Sequence, residues 1–295
     1  MNNRSLVIGA SGQVGNQIAI ALGDCAIRAA RTPRAPGWIE VDLEALASCP
    51  SRAAEIIARN NYDAIYCIGG ATEVERCETE RDWAMNTNFR GPAALAKAAV
   101  HIPFIYFSTE YVFDGVDGPY TEGSAPSPVS VYGLSKLLAE QEILGFHPRA
   151  LIIRTTVVYG SDPREKNFLY SLNRLLSAGK TMRVPNDQTS TPTYNLDLAS
   201  ATLKLVRAGE TGVFHVCGPE LLSRYDFALK AAGIMGLDAS LIVGVPTSEL
   251  NQIAPRPLRA GLRIDKLKSR HPSISMRYAQ DAIAEWKKAL QGERK

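Results

Sequence analysis

Leu6-Val7-Ile8-Gly9-Ala10-Ser11-Gly12-Gln13-Val14-Gly15 (residues 6–15) is a short apolar run that breaks into three glycines and then into the helical pattern Val14, Ile18, Ala21, Leu22. A strand, a glycine turn and a helix N-terminus make a phosphate cradle. The glycines permit positive φ and close backbone approach, and the helix dipole attracts a pyrophosphate. The spacing is Gly-x-x-Gly-x-x-Gly, which differs from the Gly-x-Gly-x-x-Gly of the simplest dinucleotide folds. Three glycines also suit a plain strand-to-helix turn; their place at the first strand favours the nucleotide reading.

Working outward, strand-like segments near residues 5–9, 25–30, 38–41, 63–68, 103–108 and 150–154 alternate with helical patterns near 13–22, 51–60, 80–100 and 130–145. That alternation predicts an α/β fold, a Rossmann-like doubly wound parallel sheet covered on both faces. The run Tyr62–Gly70 ends in Gly69-Gly70, where a ligand could approach the carboxyl end of a strand. After Gly160 the pattern loosens, and Pro163, Pro185, Pro192, Pro219, Pro246, Pro255 and Pro257 separate shorter elements. The expected organisation is a dinucleotide-binding domain over 1–160 and a smaller C-terminal lobe over 161–295 that binds substrate. The two are interleaved through a return segment near 195–217: a helix around 195–208 with Asn195 as cap, then a strand at Gly212–Val216.

At 295 residues, 45% hydrophobic and 21% charged, the chain can bury a substantial core, and no apolar run approaches the ~20 residues of a membrane span. Met1-Asn2-Asn3-Arg4 runs straight into the first strand without a leader pattern, so a cytoplasmic protein is expected. The cysteines, Cys25, Cys49, Cys67, Cys77 and Cys217, form no C-x-x-C pair and suit reduced thiols. Four dispersed histidines argue against structural zinc. A net charge of +3 without a concentrated basic run favours local cations that meet an anionic small molecule over nucleic-acid binding.

Chemistry enters at Ser108-Thr109-Glu110, after an apolar strand, and at Tyr132-Gly133-Leu134-Ser135-Lys136, which opens a helix. A Tyr and a Lys four apart share a helix face, so an ammonium can sit beneath a phenol and favour its ionised form. A free phenol titrates near pH ~10, too high for efficient acid catalysis at neutrality unless a cation lowers it. An upstream hydroxyl could hold a substrate oxygen.

Taken together, GASGQVG at 9–15, GGATEVERCETE at 69–80 followed by Asn88, FSTEYVFDG at 107–115, EGSAPSPVSVYGLSK at 122–136, RTTVVYG at 154–160, NDQTSTPT at 186–193 and RPLRAGL at 256–262 resemble the extended short-chain dehydrogenase/reductase superfamily. Within it they resemble the dTDP-4-dehydrorhamnose reductase family, nearly end to end. The resemblance implies reduction of a nucleotide-linked 4-keto-6-deoxyhexose. Thr109, Tyr132 and Lys136 would form the catalytic triad: Tyr132 gives a proton to the carbonyl oxygen at carbon 4, Thr109 hydrogen-bonds it, and Lys136 also contacts the nicotinamide ribose. Ser108 is the alternative hydroxyl. Asn88 would organise the active-site backbone, or be an ordinary satisfied helix Asn.

The same resemblance implies a cofactor held by Gly9, Ser11, Gly12, Gln13, Val14 and Gly15, by Asp42 and Leu43 at the adenine edge, by Gly69, Gly70 and Ala71, and by Tyr132 and Lys136. The segment Ile27-Arg28-Ala29-Ala30-Arg31-Thr32-Pro33-Arg34 carries cations where NAD-selective folds usually carry an acid. The expected cofactor is therefore NADPH, with Arg31 on the 2′-phosphate, Arg34 in reserve and NADH allowed. Implied substrate contacts are Thr109, Glu110, Tyr111, Val112, Asn167, Gln188 and Arg256. Three departures stand out: Glu110 replaces an Asp, Val157 stands where several members carry Trp, and Gln17 replaces a magnesium-binding Glu, so no metal is expected. The expected partner is a nucleotide sugar, with neither nucleic acid nor membrane, and a homodimer is allowed. The alternatives are a regulatory subunit resembling the methionine adenosyltransferase beta subunit, and an epimerase or dehydratase of the same superfamily.

Overall fold

The computed structural model describes residues 4–292. Residues 1–3, which enter the expectation of no leader, and 293–295 lie outside the described residues. In chain order the first half comprises β1 (Ser5–Ile8), α1 (Gln13–Leu22), β2 (Ala26–Ala30), β3 (Ile39–Glu40), α2 (Leu43–Ser48), α3 (Ser51–Ala58), β4 (Ala64–Cys67), α4 (Val74–Thr79), α5 (Arg81–Met85), a π turn at Asn86–Arg90, α6 (Gly91–Ala98), β5 (Phe104–Thr109), α7 (Val131–Phe146) and β6 (Ala150–Thr155). There follow β7 (Val158–Tyr159), α8 (Phe168–Ser177), β8 (Met182–Pro185), β9 (Thr189–Ser190), β10 (Thr193–Tyr194), α9 (Asn195–Arg207), β11 (Gly212–His215), β12 (Leu222–Ser223), α10 (Arg224–Met235), β13 (Ile242–Val245), α11 (Asp265–Arg270) and α12 (Ala279–Gly292).

Seven parallel strands build the central sheet in the order β11-β6-β5-β4-β1-β2-β3. The fold is the doubly wound Rossmann-like one expected. β1, β4 and β5 are buried at every residue, as strands covered on both faces must be. Their side chains alternate between two cores. Val7, Tyr66, Ile105, Phe107 and Ile153 pack with Ile18 of α1 and Leu198 of α9; Leu6, Ile8, Ile65, Tyr106 and Ile152 pack with Leu46, Leu95 and Ile143 from the opposite helices. A third core, centred on Tyr159, Leu172, Phe227 and Trp286, lies among the elements after β6. The strand order reverses between β1 and β4, which opens a crevice above their carboxyl ends. Ile68 and Gly69 both donate backbone hydrogen bonds at 3.0 Å to the Ile8 carbonyl, so the two glycine-bearing loops leave the sheet side by side.

Two local expectations are corrected. The helix expected over 80–100 is interrupted by the π turn, whose extra residue per turn carries Asn88 inward. There Asn88, fully buried, accepts from Ala71 N at 2.8 Å and donates to Ala71 O and Ser135 Oγ at 3.0 Å each. Asn195 does not cap α9, whose N-cap is Tyr194 without a side-chain bond. Its Nδ2 donates instead to Ser161 O at 2.7 Å, because a buried amide is worth more tethering a loop than frayed at a helix end.

Candidate active site

The crevice is a cleft of about 620 Å³ walled by the loops after β1, β2, β4, β5 and β6. Gly9 has φ +87°, and a Cβ there would stand 2.6 Å from Gly69 N, so only glycine lets the two loops meet. Gly12 is the N-cap of α1 and makes no side-chain capping bond, leaving the first-turn N–H groups for a ligand. Ser11, Gln13, Val14, Gly15, Arg31, Asp42, Leu43, Gly69, Gly70 and Ala71 all line the cleft. Arg31 is exposed just beyond β2; Arg34 is not among the lining residues. Asp42 also caps α2, accepting from Glu44 N at 3.0 Å.

Thr109 ends β5, and Tyr132 and Lys136 lie on the first turns of α7. Ser130 caps that helix by accepting from Gly133 N at 3.2 Å, and Glu78 accepts from Val131 N at 3.0 Å. A Cβ on Gly133 would stand 2.1 Å from Tyr111 O, a close approach that seats Tyr132 against the loop after β5. The Tyr132 and Tyr111 rings meet edge to face at 5.3 Å. Deeper in, Arg154 of β6 clamps Glu140 of α7 through a buried fork at 3.0 and 3.1 Å from its Nε, fixing the helix to the sheet.

Burial raises the Tyr132 phenol well above its ordinary value, and a hydrogen bond with Thr109 acts in the opposite direction. Lys136 is pushed down to about 8, first by burial. Lys136 Nζ donates to Phe107 O at 2.9 Å and lies 4.7 Å from the Tyr106 ring centroid, since a buried ammonium must find an acceptor and the strand carbonyl is at hand. Burial at Tyr132 therefore favours the phenol over the phenolate. Ser108 Oγ, buried beside this cluster, has no hydrogen-bond partner. Glu110 is 4% exposed and pushed up to about 7, first by burial, with the Gly261 N–H among the groups that oppose the shift.

A second pocket of about 660 Å³ opens toward β8, α8 and α10. It shares Gln13, Tyr111, Val157, Val158 and Arg224 among other residues with the first, so the two adjoin as one groove. Asn167 lines it but spends its amide internally: Oδ1 caps α8 by accepting from Leu169 N at 3.1 Å, while Nδ2 donates to Gly160 O at 2.8 Å and to Gln13 Oε1 at 3.1 Å. Gln188 donates to Thr247 Oγ1 at 2.9 Å. Arg256 pairs with Glu75, which also accepts from Ile253 N at 2.7 Å, and its guanidinium lies 6.0 Å from the Tyr111 ring centroid. Val157, at φ +40°, is a β-branched residue in the left-handed region where the two pockets adjoin. Val112 is corrected: it is fully buried in the sheet core with Val7 and Phe113 and belongs to neither pocket wall, because the turn after Tyr111 directs it beneath the sheet.

Residues 3–291 match the family described as RmlD substrate binding domain. The chain belongs to that family. A probable low-salt glycan biosynthesis reductase of Haloferax volcanii is 35% identical over 222 residues, 73% of this chain and 74% of the relative. A dTDP-4-dehydrorhamnose reductase of Mycobacterium tuberculosis is 33% identical over 268 residues, covering 86% of this chain and 83% of the relative. The crystal structure of dTDP-4-dehydrorhamnose reductase from Bacillus anthracis in complex with NADP superposes with a TM-score of 0.85 at 26% identity, over 97% of this chain and 99% of that one.

In this RmlD-family chain, sequence reasoning missed five cations in the groove: Arg76, Arg164, Lys166, Arg183 and Arg224. Burial lowers the Arg224 guanidinium, which lies 5.0 Å from the Phe168 ring centroid. Arg76 lies within the quoted stretch 69–80, and no motif surrounds the other four. Among the described residues no helix is long and apolar enough to cross a membrane.

Proposed function

We propose that the protein reduces a nucleotide-linked 4-keto-6-deoxyhexose at carbon 4, of the dTDP-4-dehydrorhamnose type, with NADPH as the preferred reductant. The observation that carries this reading is the joined groove: a dinucleotide cradle and a second pocket of similar size share a wall that includes Tyr111, against which the Tyr132 ring packs. The cradle fits a dinucleotide. A side chain at Gly9 would collide with Gly69 and push apart the two loops that form it, the α1 N-terminus lacks a side-chain cap, and Arg31 stands exposed where a 2′-phosphate would need charge. NADH is expected as a weaker substitute.

When bound, the nicotinamide supplies a hydride. The chain's own residues supply the rest. Tyr132, kept protonated by burial, donates its phenolic proton to the sugar carbonyl oxygen, and Thr109 steadies both the phenol and that oxygen. The Lys136 ammonium, anchored on Phe107 O, holds positive charge beside the site and favours the phenolate as the proton leaves. Arg224 and Arg256 offer cations to a substrate diphosphate.

A dinucleotide domain over 1–160 with its return segment near 195–217, and a substrate lobe over the rest, is the division of labour this reading assigns. It also places the protein in the cytoplasm, with no need of nucleic acid and with a homodimer allowed. A regulatory subunit would need the pocket but not the chemistry, and the joint presence of Thr109, Tyr132 and Lys136 supports the enzyme. Incubating the protein with NADPH and a panel of nucleotide 4-keto sugars, following absorbance and product identity, tests the reading. NADPH oxidation with a dTDP-linked 4-keto-6-deoxyhexose is the expected result; no oxidation with any sugar would overturn it.

A further inference from the structure

Arg164 sits on a loop that belongs to the second half of the chain yet reaches the glycine turn of the first. Asp162, 4% exposed, builds that loop: Oδ1 accepts from Arg164 N at 3.0 Å, Oδ2 accepts from Lys166 N at 3.1 Å, and its carbonyl accepts from Glu165 N at 2.9 Å. Glu165 takes φ +52° to close the turn. The loop is pinned at both ends, by Asn195 on Ser161 O and by Asn167 on Gly160 O, and Asn167 also grips Gln13 of the glycine turn. Its geometry is therefore set before any ligand arrives.

The side chain so presented lies directly over the cradle. Arg164 Nη2 is 3.2 Å from where a Cβ on Gly12 would stand, and Gly12 is the N-cap of α1. Arg164, Gly12 and Gln13 wall the same cleft. Asp162 Oδ1 holds the guanidinium Nε at 3.7 Å and leaves the forked end facing the cradle. We infer that Arg164 is a clamp from the substrate half of the chain that binds the cofactor diphosphate, its planar fork meeting phosphate oxygens that the α1 N–H groups hold from the other side. Arg31, beyond β2, reads the 2′-phosphate. The two cations divide the cofactor between them: one sees what NADPH and NADH share, the other what distinguishes them. The inference rests on the reading of the cleft as a dinucleotide site.

Direct titration of NADPH and NADH by calorimetry, without sugar, tests it on wild type, Arg164→Ala, Arg164→Lys and Arg31→Ala, with thermal midpoints recorded for each. Arg164→Ala is expected to raise Kd about tenfold for both dinucleotides by a similar factor, and Arg164→Lys to recover part of the loss. Arg31→Ala is expected to raise Kd for NADPH alone. An unchanged Kd in Arg164→Ala, or a loss confined to NADPH, overturns the diphosphate assignment while leaving the cleft reading intact. Wild-type protein that binds neither dinucleotide overturns both. If Arg164→Ala does not fold, the charge-free Arg164→Gln carries the same expectations.

Discussion

Glu110 Oε2 accepts a hydrogen bond of 2.9 Å from the backbone N–H of Gly261, joining the end of the catalytic strand to a segment 151 residues away. That segment begins at Arg256 in the wall of the second pocket. One buried carboxyl therefore ties the Thr109 loop to the groove's far side, and its protonation state bears on both.

Burial pushes the Glu110 carboxyl up from 4.5 to about 7, so the folded protein binds this proton more tightly than the unfolded chain. The associated stability is present below about pH 4.5 and is lost as pH rises through about 7, to an upper bound of roughly 3 kcal/mol. Glu110→Gln keeps an acceptor for Gly261 N and cannot titrate. Thermal midpoints measured from about pH 5 to 8 should fall for wild type and stay flatter for the variant. Parallel curves would show that Glu110 is not the titrating group.

Tyr132→Phe should lower kcat by ~100- to 10,000-fold with a much smaller effect on cofactor affinity, since the proton-donating hydroxyl is removed while the ring stays. Steady-state kinetics alongside NADPH titration checks both halves. Turnover within about threefold of wild type rules out Tyr132 as the acid.

Arg31→Ala should reduce the preference for NADPH over NADH about tenfold, the effect of one charge-assisted contact to phosphate. The ratio of kcat/KM for the two cofactors reads this directly. An unchanged ratio means the exposed Arg31 is only a solvated surface charge.

Replacing a helical glycine by alanine usually stabilises by ~1 kcal/mol. At Gly133 the added Cβ would stand 2.1 Å from Tyr111 O, deep inside contact distance, so the opposite sign is expected. Gly133→Ala should destabilise by roughly 1–3 kcal/mol in denaturant unfolding and lower kcat by displacing Tyr132. A more stable variant with full activity would mean that α7 moves away from the loop at no cost.

What this sequence determined by itself is the local grammar: β1, the glycine turn and α1, the alternation that makes a doubly wound sheet, the hydroxyl at the end of β5, and the Tyr and Lys at the start of α7. Each depends on residues a few positions apart, where periodicity and backbone conformation are set by neighbours in the chain. The tertiary structure alone decided which side chains face the groove. Val112 and Tyr111 are adjacent, yet one is buried in the core and the other lines the groove, and the carbonyl that holds Lys136, Phe107 O, lies 29 residues away along the chain. Arg164 reaches Gly12 from far along the chain, and Asn88 enters through a π turn that no propensity announces. Burial and the pairing of buried polar groups are long-range quantities, fixed by what packs across the sheet, and a linear reading carries no term for them.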